Sequence, residues 1–230
     1  MRKVHLVLSG PIRPSLSYIL QNVKRVKEFF GDLTTHLVYW DTGSEQDAKE
    51  LSDAFDHVYS LEEPTVEDIF KRVSGRTIQQ MENKTLEHWT IGIYKMFYGL
   101  RCFVEQNTVI QPKDIVIRMR TDLWLESVKN GNRLLDSIQK TAYAFCPRES
   151  GWRSCDWFSI STYNVFCKVW YYATDSEYNA AIKKTHCAET MVTDKLKGWK
   201  LNKVDINSFI KIAICRDYTD GVPRLDYRHD

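Results

Sequence analysis

The chain has 230 residues, of which 43% are hydrophobic and 13% aromatic, and its formal net charge is +2 at pH 7. This length fits one α/β domain, and the apolar content is ample for a core, which argues against intrinsic disorder. The nearly balanced charge excludes the overall basic excess of a dedicated nucleic-acid-binding protein, so we expect no nucleic-acid partner.

The cysteine pattern and the apolar runs indicate a cellular compartment. The six cysteines are scattered without a C-x-x-C pair, which argues against a zinc site, and a disulfide framework usually belongs to a small secreted chain with a signal peptide. The apolar run at residues 4–8 is too short for a signal peptide, and no stretch approaches the roughly 20 apolar residues of a membrane span. We therefore expect free thiols, no membrane span and an intracellular, cytoplasmic location.

Residues 4–61 alternate between short apolar runs and amphipathic stretches. The patterns predict strands over residues 4–8, 35–40 and 57–61, separated by helices over residues 15–30 and 45–55. This alternation is typical of a parallel sheet with right-handed crossovers.

The rest of the chain is less regular. Residues 62–83 form a long polar connection, of the kind that often carries a binding loop, with one helical stretch over residues 65–72. The next predicted elements are a helix over 86–105, a buried strand over 115–119, a polar helix over 127–139 and a strand over 142–146. The aromatic last third indicates an α+β arrangement, with a strand over 157–161 and helices over 163–173 and 186–197.

The turn after the first strand is a candidate ligand loop. Ser9, Gly10, Pro11 and Arg13 leave the strand at its carboxyl end. A glycine there lets the backbone approach a ligand, and an arginine can pair with a phosphate. The alternative is an ordinary strand-to-helix turn that binds no ligand. The turn is neither G-x-G-x-x-G nor a Walker loop, so NAD-binding and P-loop functions lose their main support.

The strand over 115–119 ends in two arginines and an acid, Arg118, Arg120 and Asp122, with Thr121 between the last two, and we predict that all four bind the donor. In an open α/β sheet, ligands bind beyond the carboxyl ends of the strands. On an extended chain Arg120 and Asp122 face the same side, where they could bind a diphosphate through guanidinium and a divalent ion through carboxylate. The alternative is a structural Arg–Asp pair at a strand end.

Other acids follow predicted strands or begin a helix. Asp41 ends the second strand and could accept hydrogen bonds from a ribose or base, or cap the following turn. Asp156 precedes Trp157 and Phe158, and an acid beside an aromatic platform suits a sugar ring; the alternative is a strand-end cap with Trp157 in the core. Glu189 begins an amphipathic helix, as a general base or simply because the helix dipole favours it there.

The order of these motifs resembles the WavE-type lipopolysaccharide-synthesis family, a group of glycosyltransferases with relatives in large DNA viruses. The resemblance covers most of the chain and rests on a Ser-Gly-Pro-Ile-Arg turn, a helix with Tyr98-Gly99-Leu100, then Arg118-x-Arg120-Thr121-Asp122-Leu123, Asp156-Trp157-Phe158 and Glu189.

The resemblance implies a single α/β domain with a GT-A-like fold, a nucleotide-binding sandwich with a mostly parallel central sheet. Residues 1–125 would be the nucleotide-sugar-binding half, and residues 126–230 an α+β acceptor-binding half. It implies an inverting hexosyl- or pentosyltransferase of glycan biosynthesis that uses a UDP-, GDP- or dTDP-sugar and a hydroxyl of an oligosaccharide or glycan acceptor. The cytoplasm would be that of a host if the chain is viral.

Such enzymes commonly hold Mn²⁺ or Mg²⁺ with an Asp-x-Asp motif, and here Arg120 stands in the first acidic place. Either Asp122 alone suffices for the metal, or the arginine partly replaces the missing acid as the counter-charge of the diphosphate. Among the polar residues at the C-terminus, His229 is a further candidate metal ligand. Arg13 and Lys95 could also stabilise the leaving group.

The resemblance also implies a carboxylate that activates the acceptor hydroxyl. Asp156 is preferred because of its aromatic surroundings, with Glu189 as the other candidate, and Trp157 and Phe158 would bind the acceptor. Two alternatives stay open: a non-catalytic carbohydrate- or nucleotide-binding domain of a glycan-assembly protein, and another nucleotide-using α/β transferase, which would usually show further acids or a glycine-rich first loop.

Overall fold

The computed structural model describes residues 2–73, 84–138, 143–147, 154–185, 187–198, 203–205, 209–219 and 222–226. The strands are β1 (Val4–Ser9), β2 (Thr34–Trp40), β3 (His57–Leu61), β4 (Ile115–Arg120), β5 (Leu123–Val128), β6 (Tyr143–Pro147), β7 (Ser154–Thr162), β8 (Lys203–Asp205), β9 (Ile210–Thr219) and β10 (Val222–Asp226). The helices are α1 (Leu16–Phe30), α2 (Glu45–Ala54), α3 (Val66–Arg72), α4 (Lys84–Gln106), α5 (Gly131–Ser137), α6 (Tyr163–Trp170), α7 (Asp175–Thr185) and α8 (Ala188–Gly198).

A seven-stranded sheet in the order β3-β2-β1-β4-β7-β6-β8 forms the centre of the molecule. Strands β3, β2, β1 and β4 are mutually parallel, as the strand–helix alternation predicts. Strand β7 runs antiparallel to both β4 and β6, while β8 is parallel to β6. The predicted α/β class with a mostly parallel central sheet is therefore confirmed, and the carboxyl ends of β1 to β4 share one edge.

A second sheet, three-stranded and antiparallel, has the order β10-β9-β5 and packs near α1. The sequence prediction missed this sheet. The polar helix predicted over residues 127–139 is the shorter α5, because residues up to Val128 belong to β5, whose Leu123, Trp124 and Leu125 are buried.

Two hydrophobic cores lie on the two faces of the central sheet, because successive strand residues point to opposite faces. The first core lies under α1 and β5 and includes Leu6, Leu8, Leu37, Ile117 and Met119. The second lies under α3, α4, α6, α7 and α8 and includes Val7, Val38, Val116, Phe97 and Trp170. In the part of the chain that the structure describes, no helix has both the length and the apolar character needed to cross a bilayer.

Helix α1 illustrates how the sequence sets an element that positions the site. Ser15 caps its amino end by accepting a hydrogen bond from the backbone N–H of Tyr18, and Gly31 ends it with a positive φ of 79°. The buried stripe between these ends follows the helical period and consists of Tyr18, Ile19, Asn22, Val23, Val26 and Phe30.

A row of histidines crosses the amino-terminal half of the sheet, on the side away from the strand carboxyl ends. His5 and His36 are completely buried, with His5 Nδ1 3.0 Å from His36 Nε2. His36 stacks on His57 with 4.7 Å between ring centres, and His5 Nε2 lies 3.5 Å from Asp114. Burial, reinforced by His5 and His57, lowers the pKa of His36 to about 3, so the His36 ring is held in its neutral form.

Candidate functional site

The backbone of the loop after β1 lies so close to Thr121 that position 10 has room only for glycine. Gly10 has φ +139°, and its N–H donates to the carbonyl of Val38 over 3.1 Å. A Cβ at this position would lie 2.8 Å from Thr121 Oγ1, closer than side chains pack. The glycine therefore lets the loop after β1 press against the residue that follows β4.

Thr121 fastens this loop to the end of β4. Its side chain is buried, and Oγ1 donates a hydrogen bond to the carbonyl of Pro11 over 2.7 Å. One residue earlier on each strand, Ser9 and Arg120 are register partners in the parallel β1–β4 pair. Within the residues that the structure describes, the buried Ser9 Oγ has no hydrogen-bond partner. Two candidate donor-binding segments are thus held side by side.

Two arginines surround one carboxylate at this edge. Arg120 donates from Nε to Asp122 Oδ1 over 2.9 Å and from Nη2 to Oδ2 over 2.7 Å, a bidentate pair. Arg13 Nη2 lies 3.2 Å from Asp122 Oδ2. The Asp122 side chain is only 6% exposed, against 52% for Arg13 and 23% for Arg120. Both arginine side chains are therefore more exposed to solvent than the carboxylate that they contact.

This geometry confirms that Arg120 and Asp122 share one side of the chain. It also has the form of the structural Arg–Asp pair that the sequence left open. The two interpretations are compatible, since a carboxylate that holds two guanidinium groups in place presents them to an anionic ligand.

Residues of the second sheet and of α1 lie next to Asp122. Its carbonyl accepts a hydrogen bond from the backbone N–H of Cys215 on β9 over 2.8 Å. Tyr18 of α1 is completely buried nearby, where burial, together with Cys215 and Asp122, raises the pKa of its phenol far above the usual range. The sequence prediction missed both residues; the apolar run on β9 could have located its strand but not its pairing with β5.

Asp41 and Lys95, also predicted to bind the donor, lie near the carboxyl ends of β2 and β3. Asp41 is exposed, and its Oδ1 accepts a hydrogen bond from the N–H of Gly43 over 2.9 Å, so it caps the turn. Lys95 Nζ lies 2.7 Å from Glu63 Oε1 and is largely covered.

Arg118 was also predicted to contact the donor, but its position does not allow this contact. The residue is completely buried, with its guanidinium carbon 4.3 Å above the ring of Trp170, and Nη1 donates to the backbone carbonyl of Asp156. The reason is that Arg118 lies two residues before the end of β4, and its side chain stands on a face of the sheet where Trp170 of α6 covers it. We therefore correct its role from donor ligand to a support for the start of β7.

Asp156 lies near the start of β7, which is the end next to the carboxyl end of β4 because the two strands are antiparallel. It is half-buried. Trp157 is 6% exposed and Phe158 is completely buried, both in the first core. A sugar platform needs an exposed ring face, so we leave Trp157 and Phe158 out of the acceptor site.

Glu189 lies in the first turn of α8, which packs on β7. It is buried, and its carbonyl accepts a hydrogen bond from Thr193 Oγ1 over 2.7 Å. The favourable interaction of an acid with a helix amino end is sufficient to explain its place there. His229, predicted as a metal ligand, lies outside the described residues.

The residues at Asp122 do not fit the divalent cation that the GT-A class commonly uses. Both oxygens of Asp122 accept hydrogen bonds from Arg120, and Arg13 approaches one of them. Among the residues that the structure describes, no group of three or more His, Cys, Asp or Glu side chains is arranged to hold a metal ion. Mg²⁺ and Mn²⁺ take oxygen ligands from carboxylates, and here guanidinium groups bond both oxygens of Asp122.

Comparison with known proteins identifies the fold but no family. No protein-family model matches the chain, and no curated protein matches it in sequence, so the resemblance to the WavE-type family stays a prediction. Among solved structures, the mannosyltransferase Ktr4p from S. cerevisiae is similar with a TM-score of 0.53 and 10% identity, over 97% of this chain and 75% of that one. The apo form of the glycosyltransferase GlyE from Streptococcus pneumoniae TIGR4 is similar with a TM-score of 0.50 and 11% identity, over 90% of this chain.

The chain spans 46% of the length of GlyE. At these identities the similarity concerns the fold alone. The chain has the GT-A-like α/β fold that the resemblance implies.

Proposed function

We propose that the chain is a glycosyltransferase that moves a sugar from a nucleotide-diphosphate donor to a hydroxyl of a glycan acceptor. The observation that carries the proposal is the pair of partly exposed arginines, Arg13 and Arg120, held by Asp122 at the carboxyl edge of the parallel strands. In sheets of this kind that edge is where nucleotides bind, and guanidinium groups match phosphate oxygens in charge and geometry.

Residues 1–125 would bind the donor. The diphosphate would lie against Arg13 and Arg120, beside the Ser9–Gly10 backbone, which the Thr121 hydrogen bond to Pro11 holds close. Asp41, at the exposed end of β2, would contact the ribose or base, and Lys95 would add positive charge that stabilises the leaving group.

The reaction breaks the bond between the anomeric carbon and the β-phosphate oxygen, and that electron pair goes to the oxygen. The acceptor hydroxyl oxygen forms the new bond to the anomeric carbon, and its proton passes to a carboxylate. The departing nucleoside diphosphate gains one negative charge, which the two guanidinium groups stabilise where it develops.

We assign the carboxylate that takes the proton to Asp156, with Glu189 as the alternative. Asp156 stands at the start of β7, at the same edge as the arginines, and its backbone carbonyl is held by the buried Arg118. A single base that faces the acceptor corresponds to inversion at the anomeric carbon. The acceptor site would lie within residues 126–230, on the side of Asp156 and away from α5, and the transferred sugar would be a hexose or a pentose.

The test is to incubate the full chain with UDP-, GDP- and dTDP-sugars and a panel of oligosaccharide acceptors, and to measure nucleoside diphosphate release and glycan products. We expect one nucleotide class to be consumed. We expect Arg120→Met to lower this rate by about tenfold to a hundredfold, while the exposed Arg133→Met on α5 leaves it unchanged.

Binding of a nucleotide sugar without turnover, even with acceptors, would favour a non-catalytic binding domain. Neither binding nor turnover for any donor would refute the proposal. Nucleotide release that is unaffected by Arg120→Met would keep the activity but place the donor elsewhere.

A further inference from the structure

We infer that the donor diphosphate is bound and stabilised by the guanidinium groups of Arg13 and Arg120, oriented by Asp122, in place of a divalent cation. This inference rests on the proposed function and defines how its donor site works. The charge presented to the ligand is then positive, whereas an Asp-x-Asp site presents negative charge, because Arg120 replaces the first acid of that motif.

The first argument is the difference in solvent exposure among the three side chains. Asp122 is 6% exposed, while Arg13 and Arg120 are 52% and 23% exposed. An approaching cation would therefore meet two positive groups before it reached the carboxylate. An approaching anion would meet the same groups at favourable distances.

The second argument is what a cation would have to displace. To coordinate Asp122 it would break the bidentate pair with Arg120, at 2.9 and 2.7 Å, and the contact with Arg13 at 3.2 Å. The two guanidinium groups would then stand beside a divalent ion without their counter-charge. Two arginines and one aspartate leave a single net positive charge, which suits a diphosphate and disfavours a metal ion.

The third argument is that the cluster is held in position before a ligand arrives. Thr121, between the two charged residues, is bonded to the carbonyl of Pro11, and the carbonyl of Asp122 is bonded to Cys215 on the second sheet. Asp122 is thus a positioning residue: it orients the two arginines, and the arginines contact the phosphates.

The experiment measures equilibrium binding to the full chain by calorimetry, in EDTA and again with Mn²⁺ or Mg²⁺. The probes are UDP, GDP, dTDP and inorganic pyrophosphate. We expect one nucleoside diphosphate to bind in EDTA, with an affinity that added metal changes by less than about threefold. We expect Arg13→Met and Arg120→Met each to weaken binding in EDTA by about tenfold to a hundredfold, the loss of a charge-assisted contact.

Arg133→Met is the matched control, because this arginine is exposed on α5 and outside the cluster. Asp122→Asn separates the two kinds of site. If Asp122 orients arginines, the variant binds more weakly to the same degree with and without metal. If Asp122 holds a cation, the variant loses the metal-dependent part of the affinity.

Binding that appears only with metal and is lost in Asp122→Asn would overturn the inference while leaving the proposed function intact. Pyrophosphate binding in EDTA that depends on both arginines, without binding of any nucleoside diphosphate, would keep the anion site and refute the proposed function. Failure of all four probes with and without metal would refute both. Melting curves of each variant identify any that fail to fold.

Discussion

Replacement of Gly10 by alanine tests the packing on which the candidate site depends. Gly10 has φ +139°, and a backbone held there by a residue with a side chain costs about 1–3 kcal/mol. The new Cβ would also lie 2.8 Å from Thr121 Oγ1. Thr121 would have to rotate and give up its hydrogen bond to Pro11, which costs about 1 kcal/mol more.

We therefore expect Gly10→Ala to lower the free energy of unfolding by about 2–4 kcal/mol. The assay is urea unfolding followed by tryptophan fluorescence, with the slope unchanged so that the midpoint reports stability. Gly31→Ala is the matched control, because Gly31 also has a positive φ, of 79°, but a Cβ there would meet nothing within 4 Å. Gly31→Ala should lower the free energy of unfolding only by the cost of its backbone conformation, about 1–3 kcal/mol.

A double-mutant cycle isolates the contact with Thr121. In the Gly10→Ala background the further change Thr121→Ala should cost about 1 kcal/mol less than in the unaltered chain, because the hydrogen bond is already broken. Equal destabilisation by Gly10→Ala and Gly31→Ala, or strict additivity with Thr121→Ala, would refute this packing.

Three further predictions follow from buried groups and candidate bases. The folded-state pKa of His36 is about 3, below the value near 6.5 of an unfolded histidine, so protonation favours the unfolded chain as pH falls through this window. Glutamine at this position cannot be protonated but can still hydrogen-bond to His5. Between about pH 7 and about pH 4.5, the free energy of unfolding of His36→Gln, measured by urea unfolding, should therefore fall by about 2–3 kcal/mol less than that of the unaltered chain; an equal fall in both proteins would contradict this. Arg118→Lys should be less stable to heat than Arg118→Met, because a buried ammonium group cannot match the contacts of the planar guanidinium; the reverse order would contradict it. In the turnover assay Asp156→Asn should lower kcat by about a hundredfold or more, and Glu189→Gln by much less; the opposite pattern would make Glu189 the base.

The first half of the fold could be predicted because its signals are local. Strands β1, β2 and β3 and helices α1 and α2 begin and end within one or two residues of their predicted bounds, since each has its own apolar period and its own turn or cap. Arg120 and Asp122 could be predicted to share a side of the chain for the same reason: alternation along an extended chain is a local property.

The remainder depended on pairings between distant segments. The sequence around residues 123–128 carries no signal that they pair with β9. That pairing brings the backbone N–H of Cys215 to the carbonyl of Asp122. Trp157 and Phe158 stand together in sequence as a platform would, but packing against the first core buries both rings. Arg118 is buried by Trp170 of α6, which is distant in sequence, so its exclusion from the donor site also depended on a long-range contact.

The most direct measurement is a structure of the chain determined with a bound nucleoside diphosphate in the absence of divalent metal. We predict that the phosphate oxygens lie about 3 Å from the guanidinium nitrogens of both Arg13 and Arg120, with Asp122 still bonded to the arginines. A nucleotide bound away from the carboxyl edge of β1 and β4, or a cation between Asp122 and the phosphates once metal is supplied, would contradict this arrangement.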